Sequence, residues 1–157
     1  MYYFAVILML FFTTSSSEII DKNQQKEVLQ SIFNIQEFQK YVAYSPRFVG
    51  SHHKSEVLMV GLNSAEDKNF ELRFRDKAIR VISQEEESQL AHNFFIRIKE
   101  FDLKKSKAKV SLSYLSSRLY YEKEQKIVLS AQLNKGKDNQ WVVTDYNLTE
   151  VSINISD

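Results

Sequence analysis

Tyr114, Tyr120, Tyr121 and Tyr146 fall in the last third of the chain, with Asp102 and Asp145 close to them in sequence. A phenol beside a carboxylate can pass a proton, provided both converge in one pocket. A curved sheet closed by a helix can supply such a pocket. Tyrosines are also ordinary strand formers, so the same residues serve equally well as sheet material. No nucleophile accompanies them. The chain has no Gly-x-Ser-x-Gly elbow, no glycine-rich phosphate loop and no dinucleotide fingerprint, and its 3 glycines leave little material for any of these.

Metal chemistry has equally little support. "SHHK" at 51–54 carries His52 and His53, and His92 is the one other histidine. Adjacent residues point to opposite faces of a strand, or about 100° apart on a helix, so His52 and His53 do not readily share one ion. Glu85, Glu86 and Glu87 form an acidic run without the alternating carboxylates and fixed glycine of a calcium loop. Lys104, Lys105, Lys107 and Lys109 form a basic run, and lysines on a strand also keep sheets of different molecules apart. "NLT" at Asn147 and "NIS" at Asn154 match glycosylation sequons. The sequence thus assigns no catalytic residue, metal ligand or cofactor, and its ligand-binding residues stay unknown.

Composition narrows the setting. The 157 residues make one domain, 43% hydrophobic and 26% charged, with 11 Phe and 8 Tyr for core material. A net charge of +1 argues against a nucleic-acid binder, whose basic face normally shows in the total. The absence of cysteine excludes thiol catalysis, zinc–thiolate sites, iron–sulfur clusters and a lipid anchor through an N-terminal cysteine. The apolar run Tyr2–Phe12, followed by the small polar residues Thr13–Ser17, has the pattern of an export signal over residues 1–17. It is too short for a stable membrane span, which needs about 20 apolar residues. The expected setting is therefore periplasmic or secreted, with an uncleaved N-terminal anchor as the alternative.

The elements that must position any site follow from periodicity. Val28, Ile32, Ile35, Phe38 and Val42 recur at steps of three or four, widened by Leu29, Phe33 and Tyr41. That pattern predicts one amphipathic helix over about 22–44, ended by Pro46 and ~34 Å long. "EVLMVGL" reads as a buried strand or a helical piece. From Phe70 onward the period becomes two, through "FELRF", "AIRVI", "NFFIRIKEFDL", "KAKVSLSYL", "KIVLSAQL" and "QWVVTDYNL". "SQEEESQLA" is a loop or a helical turn, and "NKGKDN" is a turn. Trp141 and Val143 are out of phase with Tyr146 and Leu148, which predicts a bulge at Thr144 or Asp145. Ala108, Val110, Leu112 and Tyr114 are expected under the helix, and the Lys107/Lys109/Ser111/Ser113 face in water, with Phe95, Phe101 and Leu103 beside it. The class is α+β: a long N-terminal helix on an antiparallel meander of about four to six strands, as one domain over 18–157.

The order of leader, helix, "KAIRVI", "FFIRIKEFDLKKSKAKVSLSY" and "KIVLSAQLNKGKDNQWVV" resembles small exported bacterial proteins with cystatin-like, or nuclear-transport-factor-two-like, α+β folds. The resemblance covers about residues 70–150, and the helix more loosely, and implies a fold; it carries over no functional residue. Three roles fit these observations: a non-enzymatic module binding a protein or small-molecule ligand on its sheet, a pocket enzyme or carrier of the cone-shaped class, or an assembly module that joins sheets. The oligomeric state is open.

Overall fold

The computed structural model describes residues 22–41, 56–60, 71–75, 77–89, 95–116 and 118–153. The leader, Pro46, His52, His53, His92 and Asn154 lie outside the described residues. The elements are α1 (Lys22–Phe33), α2 (Gln36–Gln39), β1 (Glu56–Val60), β2 (Leu72–Phe74), β3 (Lys77–Ile82), α3 (Gln84–Gln89), β4 (Ile96–Leu103), β5 (Lys107–Tyr114), β6 (Gln125–Lys135) and β7 (Trp141–Ser152), with a single π-helical turn at Leu119–Lys123. The α+β class holds. The sheet has seven strands rather than four to six, in the order β2-β3-β1-β4-β5-β6-β7. It is also not a pure meander. β1 lies between β3 and β4 and is parallel to both, while β2–β3 and β4 through β7 pair antiparallel. A central strand enclosed on two faces has no polar side to present, which explains why "EVLMV" shows no alternation. Val57 and Met59 join the main core, and Val60 packs with Ile82 and Phe95 in a smaller one.

The predicted long helix is broken. α1 stops after 12 residues, about 18 Å, and Ile35 is extended at φ −60°, ψ 115° before α2 begins. On one straight helix Phe33 and Phe38 would point about 140° apart. The break resets that angle, and both rings enter the core with centroids 6.4 Å apart. Phe74 joins them at 5.7 Å from Phe33 and 4.6 Å from Phe38, and Tyr114 closes the group at 5.7 Å from Phe74. The stripe on α1 buries Val28, Leu29, Ile32 and Phe33 in the same core as Ala108, Val110, Leu112 and Tyr114 of β5. α3 is short but well begun: the Glu86 N–H donates to Ser83 Oγ at 3.1 Å, and the Ser83 N–H donates to Glu86 Oε2 at 2.9 Å. This is a reciprocal capping box.

Two bulges set which side chains face the core. In β7 the register passes from Leu133↔Val143 to Gln132↔Asp145, leaving Thr144 as the extra residue, where the sequence phase had placed a bulge. The Thr144 hydroxyl donates to the Gln132 carbonyl at 3.2 Å. In β4 the register slips between Ile98 and Glu100. That second bulge overturns one expectation. Phe101 and Leu103 stand opposite Val110 and Ala108 and pack on the main core, while Phe95 belongs to the small cluster. Phe101 and Leu103 therefore give no apolar cover to the Lys107/Lys109 face, whereas Phe95, ahead of the bulge, lies on the same side of the sheet as Arg97 and Ser113.

Candidate functional site

The tyrosines and aspartates do not converge. Tyr114 sits in the aromatic core, and burial, opposed by a hydrogen bond with Ser116, pushes its phenol up to about 12. A phenol held so firmly protonated is a poor acid–base group near neutrality. Asp102 lies on the opposite face and pairs with Lys104 at 3.1 Å. Asp145 is exposed on β7, opposite Gln132. Tyr120 and Tyr121 meet edge to face at 5.0 Å within the π-helical turn. Tyr146 lies on β7, where a hydrogen bond with Glu37, then partial burial and the Glu37 charge, raise its pKa. The acidic and basic runs are structural. Glu86 caps α3, Glu87 pairs with Arg97, and Lys109 pairs with Glu100 at 3.0 Å. No group of three or more potential metal ligands gathers among the described residues.

The wide polar face of the sheet is also plain. Lys107, Lys109, Ser111 and Ser113 of β5 stand beside Asn134, Gln132, Ser130 and Val128 of β6, and Ser130 donates to Ser111 at 3.3 Å. Asn147 continues this face on β7, where its Oδ1 accepts from the Thr149 hydroxyl at 3.4 Å. Lys99 projects from the β4 bulge, and partial burial, then the charges of Arg97 and Lys126, lower its pKa. A mixture of Ser, Asn, Gln and Lys is a solvated face and offers no aromatic platform.

The sheet edges differ from this. The sheet curls until both of its end strands reach α1, and consecutive residues of that helix finish them. Gln30 treats β2 as a strand would: its Nε2 donates to the Arg73 carbonyl at 3.0 Å, and its Oε1 accepts from the Arg73 N–H at 2.9 Å. Ser31 donates to the Trp141 carbonyl of β7 at 3.0 Å. Trp141 itself is buried beneath, with Lys135 Nζ 5.7 Å from its ring centroid.

Beyond Trp141 the β7 edge is unpaired among the described residues. The Ile153 N–H donates to the Glu124 carbonyl, toward β6. By strand alternation the main-chain groups of Tyr146, Leu148, Glu150 and Ser152 therefore point away from β6. No strand pairs with that side among the described residues. The large hydrophobic side chains most exposed among the described residues are Tyr121 at 69%, Val142 at 52%, Tyr146 at 38% and Val151 at 36%, and three of the four are on β7. α2 and the segment after it hold the inner side of this edge in place. Tyr41 donates to Glu150 Oε1 at 2.9 Å, and Lys123 reaches Glu150 Oε2 at 3.5 Å.

Sequence reasoning singled out Tyr120, Tyr121 and Tyr146 for acid–base chemistry. Tyr146 stands on the open strand, and Tyr120 and Tyr121 sit in the turn whose Lys123 reaches it. Sequence reasoning missed Glu150, Tyr41 and Lys123, whose meeting depends on the break at Ile35. No family model matches the chain, and no curated protein or solved structure matches it either.

Proposed function

We propose that the protein is an exported, non-enzymatic binding module that takes a polypeptide along the open edge of β7. The observation that carries this reading is the row of outward main-chain groups at Tyr146, Leu148, Glu150 and Ser152, bordered by exposed apolar side chains. An added strand gains its affinity from such groups and its selectivity from alternate side chains. The Glu150 side chain, held by Tyr41 and Lys123, favours binding, because less rotamer freedom is left to lose. Export is read from the leader pattern, and no helix among the described residues is long and apolar enough to cross a membrane.

The carrier reading fits less well, because Phe33, Phe38, Phe74 and Tyr114 fill the space that a carrier keeps open. Native mass spectrometry of the chain purified from its own host tests the proposal. A polypeptide that stays attached to the wild type and is released by Leu148→Lys is the expected result. A retained small organic molecule, unaffected by that substitution, would overturn it.

A further inference from the structure

We infer that the occupant of the β7 edge is the β7 edge of a second copy of this chain, antiparallel to it about a two-fold axis at Leu148. The inference rests on the binding-edge reading above and names its partner. A two-fold interface makes a surface meet itself, so β7 must be compatible with its own side chains.

The bulge at Thr144 confines regular pairing to Asp145–Ser152. Residues directly opposite one another share a face of the sheet, so the axis must pass through a residue and not between two. An axis at Asp145 or Glu150 sets a carboxylate against its own copy. An axis at Thr149 sets both Leu148 side chains against Glu150. An axis at Tyr146 or Asn147 wastes the C-terminal half of the stretch on the bulge. An axis at Leu148 uses everything from Asp145 to Val151. Leu148 then meets Leu148, Tyr146 meets Glu150, Asn147 meets Thr149 and Asp145 meets Val151, with no like charges opposed.

The hydrogen-bonding phase agrees. The outward main-chain groups belong to Tyr146, Leu148 and Glu150, and this axis pairs those residues only with one another. β7 also contains no Lys, Arg or Pro, the residues that commonly hold sheet edges apart. Seven residues of paired strand cover less than the ~800 Å² per partner of a standard interface, so the dimer dissociates on dilution.

Sedimentation equilibrium on the full chain, from low micromolar to several hundred micromolar, tests this. The wild type is expected to show a reversible monomer–dimer equilibrium. Leu148→Lys places two ammonium groups across the axis and should weaken it at least tenfold. Val151→Lys places an ammonium group opposite Asp145 of the second copy and should tighten it, with the gain lost in high salt. Far-UV circular dichroism establishes that each variant is folded. If Leu148→Lys is not, Val151→Lys decides alone, because any weakening by it overturns the register. A wild type that stays monomeric throughout overturns self-pairing. If such a monomer still carries a different polypeptide in host material, released by a folded Leu148→Lys, the binding edge stands and only the second copy is excluded.

Discussion

β2 ends one side of the sheet with three residues, and β7 ends the other with twelve. At β2 the one central residue, Arg73, has both main-chain groups bonded by the Gln30 carboxamide. A single side chain can replace a partner strand there because only one residue needs it. At β7 Ser31 does the same for the Trp141 carbonyl alone, and the outward groups from Tyr146 to Ser152 lie beyond its reach. The two edges also differ beneath. β2 delivers Phe74 into the aromatic core, whereas β7 beyond the bulge carries half-buried and exposed side chains over α2. The short edge is thus shut and contributes to stability, and the long one is unpaired among the described residues.

Phe74→Ala should break this contrast most severely. Removing a fully buried ring that touches Phe33, Phe38 and Tyr114 should cost about 3–5 kcal/mol, measured by urea denaturation. A loss below about 1 kcal/mol would mean that β2 is not anchored as described.

The next effect is alkaline. Tyr114, packed on Phe74, keeps its proton in the folded state up to about 12, against 10.0 for an ordinary tyrosine. Its contribution is therefore whole below pH 10 and is lost as pH rises from 10 to 12. Stability should fall by up to ~3 kcal/mol across that window, at 1.36 kcal/mol per pKa unit. Tyr114→Phe should flatten that slope relative to the wild type in parallel urea titrations at each pH.

Gln30→Ala unguards the short edge and should cost about 1 kcal/mol, because its two hydrogen bonds are partly solvated. Hydrogen exchange of the Arg73 amide should speed up in that variant while the β6-facing Asn147 amide is unchanged. Equal exchange in variant and wild type would remove the distinction between the edges. The smallest effect belongs to Val142→Ser, on the exposed face of β7, which should shift the urea midpoint by no more than about 0.5 kcal/mol of stability.

Where a reading depended on local pattern, the sequence was sufficient. Lys107–Tyr114 alternates without interruption and forms β5 over those residues, and the phase error between Val143 and Tyr146 located the β7 bulge. The same signal was present in β4, where Ile96 and Ile98 are out of phase with Phe101 and Leu103. Phe95, Phe101 and Leu103 mask it by sharing one phase of the strand, although Arg97 and Lys99 interrupt that phase. The break in the first helix was hidden for a different reason. Ile35 and Phe38 satisfy the helical period whether or not the chain continues, and only the demand that Phe33 and Phe38 meet makes the difference. The insertion of β1 between β3 and β4 depends on pairings remote in sequence, which a short apolar run cannot disclose. The proposed binding edge was illegible for the same reason. An unpaired strand becomes visible only after every other strand has found its neighbours.

Thr144 is a spare residue: the ladder on either side of it is continuous if it is skipped, since Val143 stands opposite Leu133 and Asp145 opposite Gln132. Deleting it should straighten β7 and leave each remaining side chain on its present side of the sheet. Deleting any one residue between Asp145 and Leu148 instead also leaves four residues to face Gln132–Leu129, so the strand from Thr149 onward keeps its register and only the side chains between Thr144 and the deletion change sides. The strand therefore carries a built-in tolerance for losing one residue, and the loss disturbs least at Thr144, where no remaining side chain changes sides.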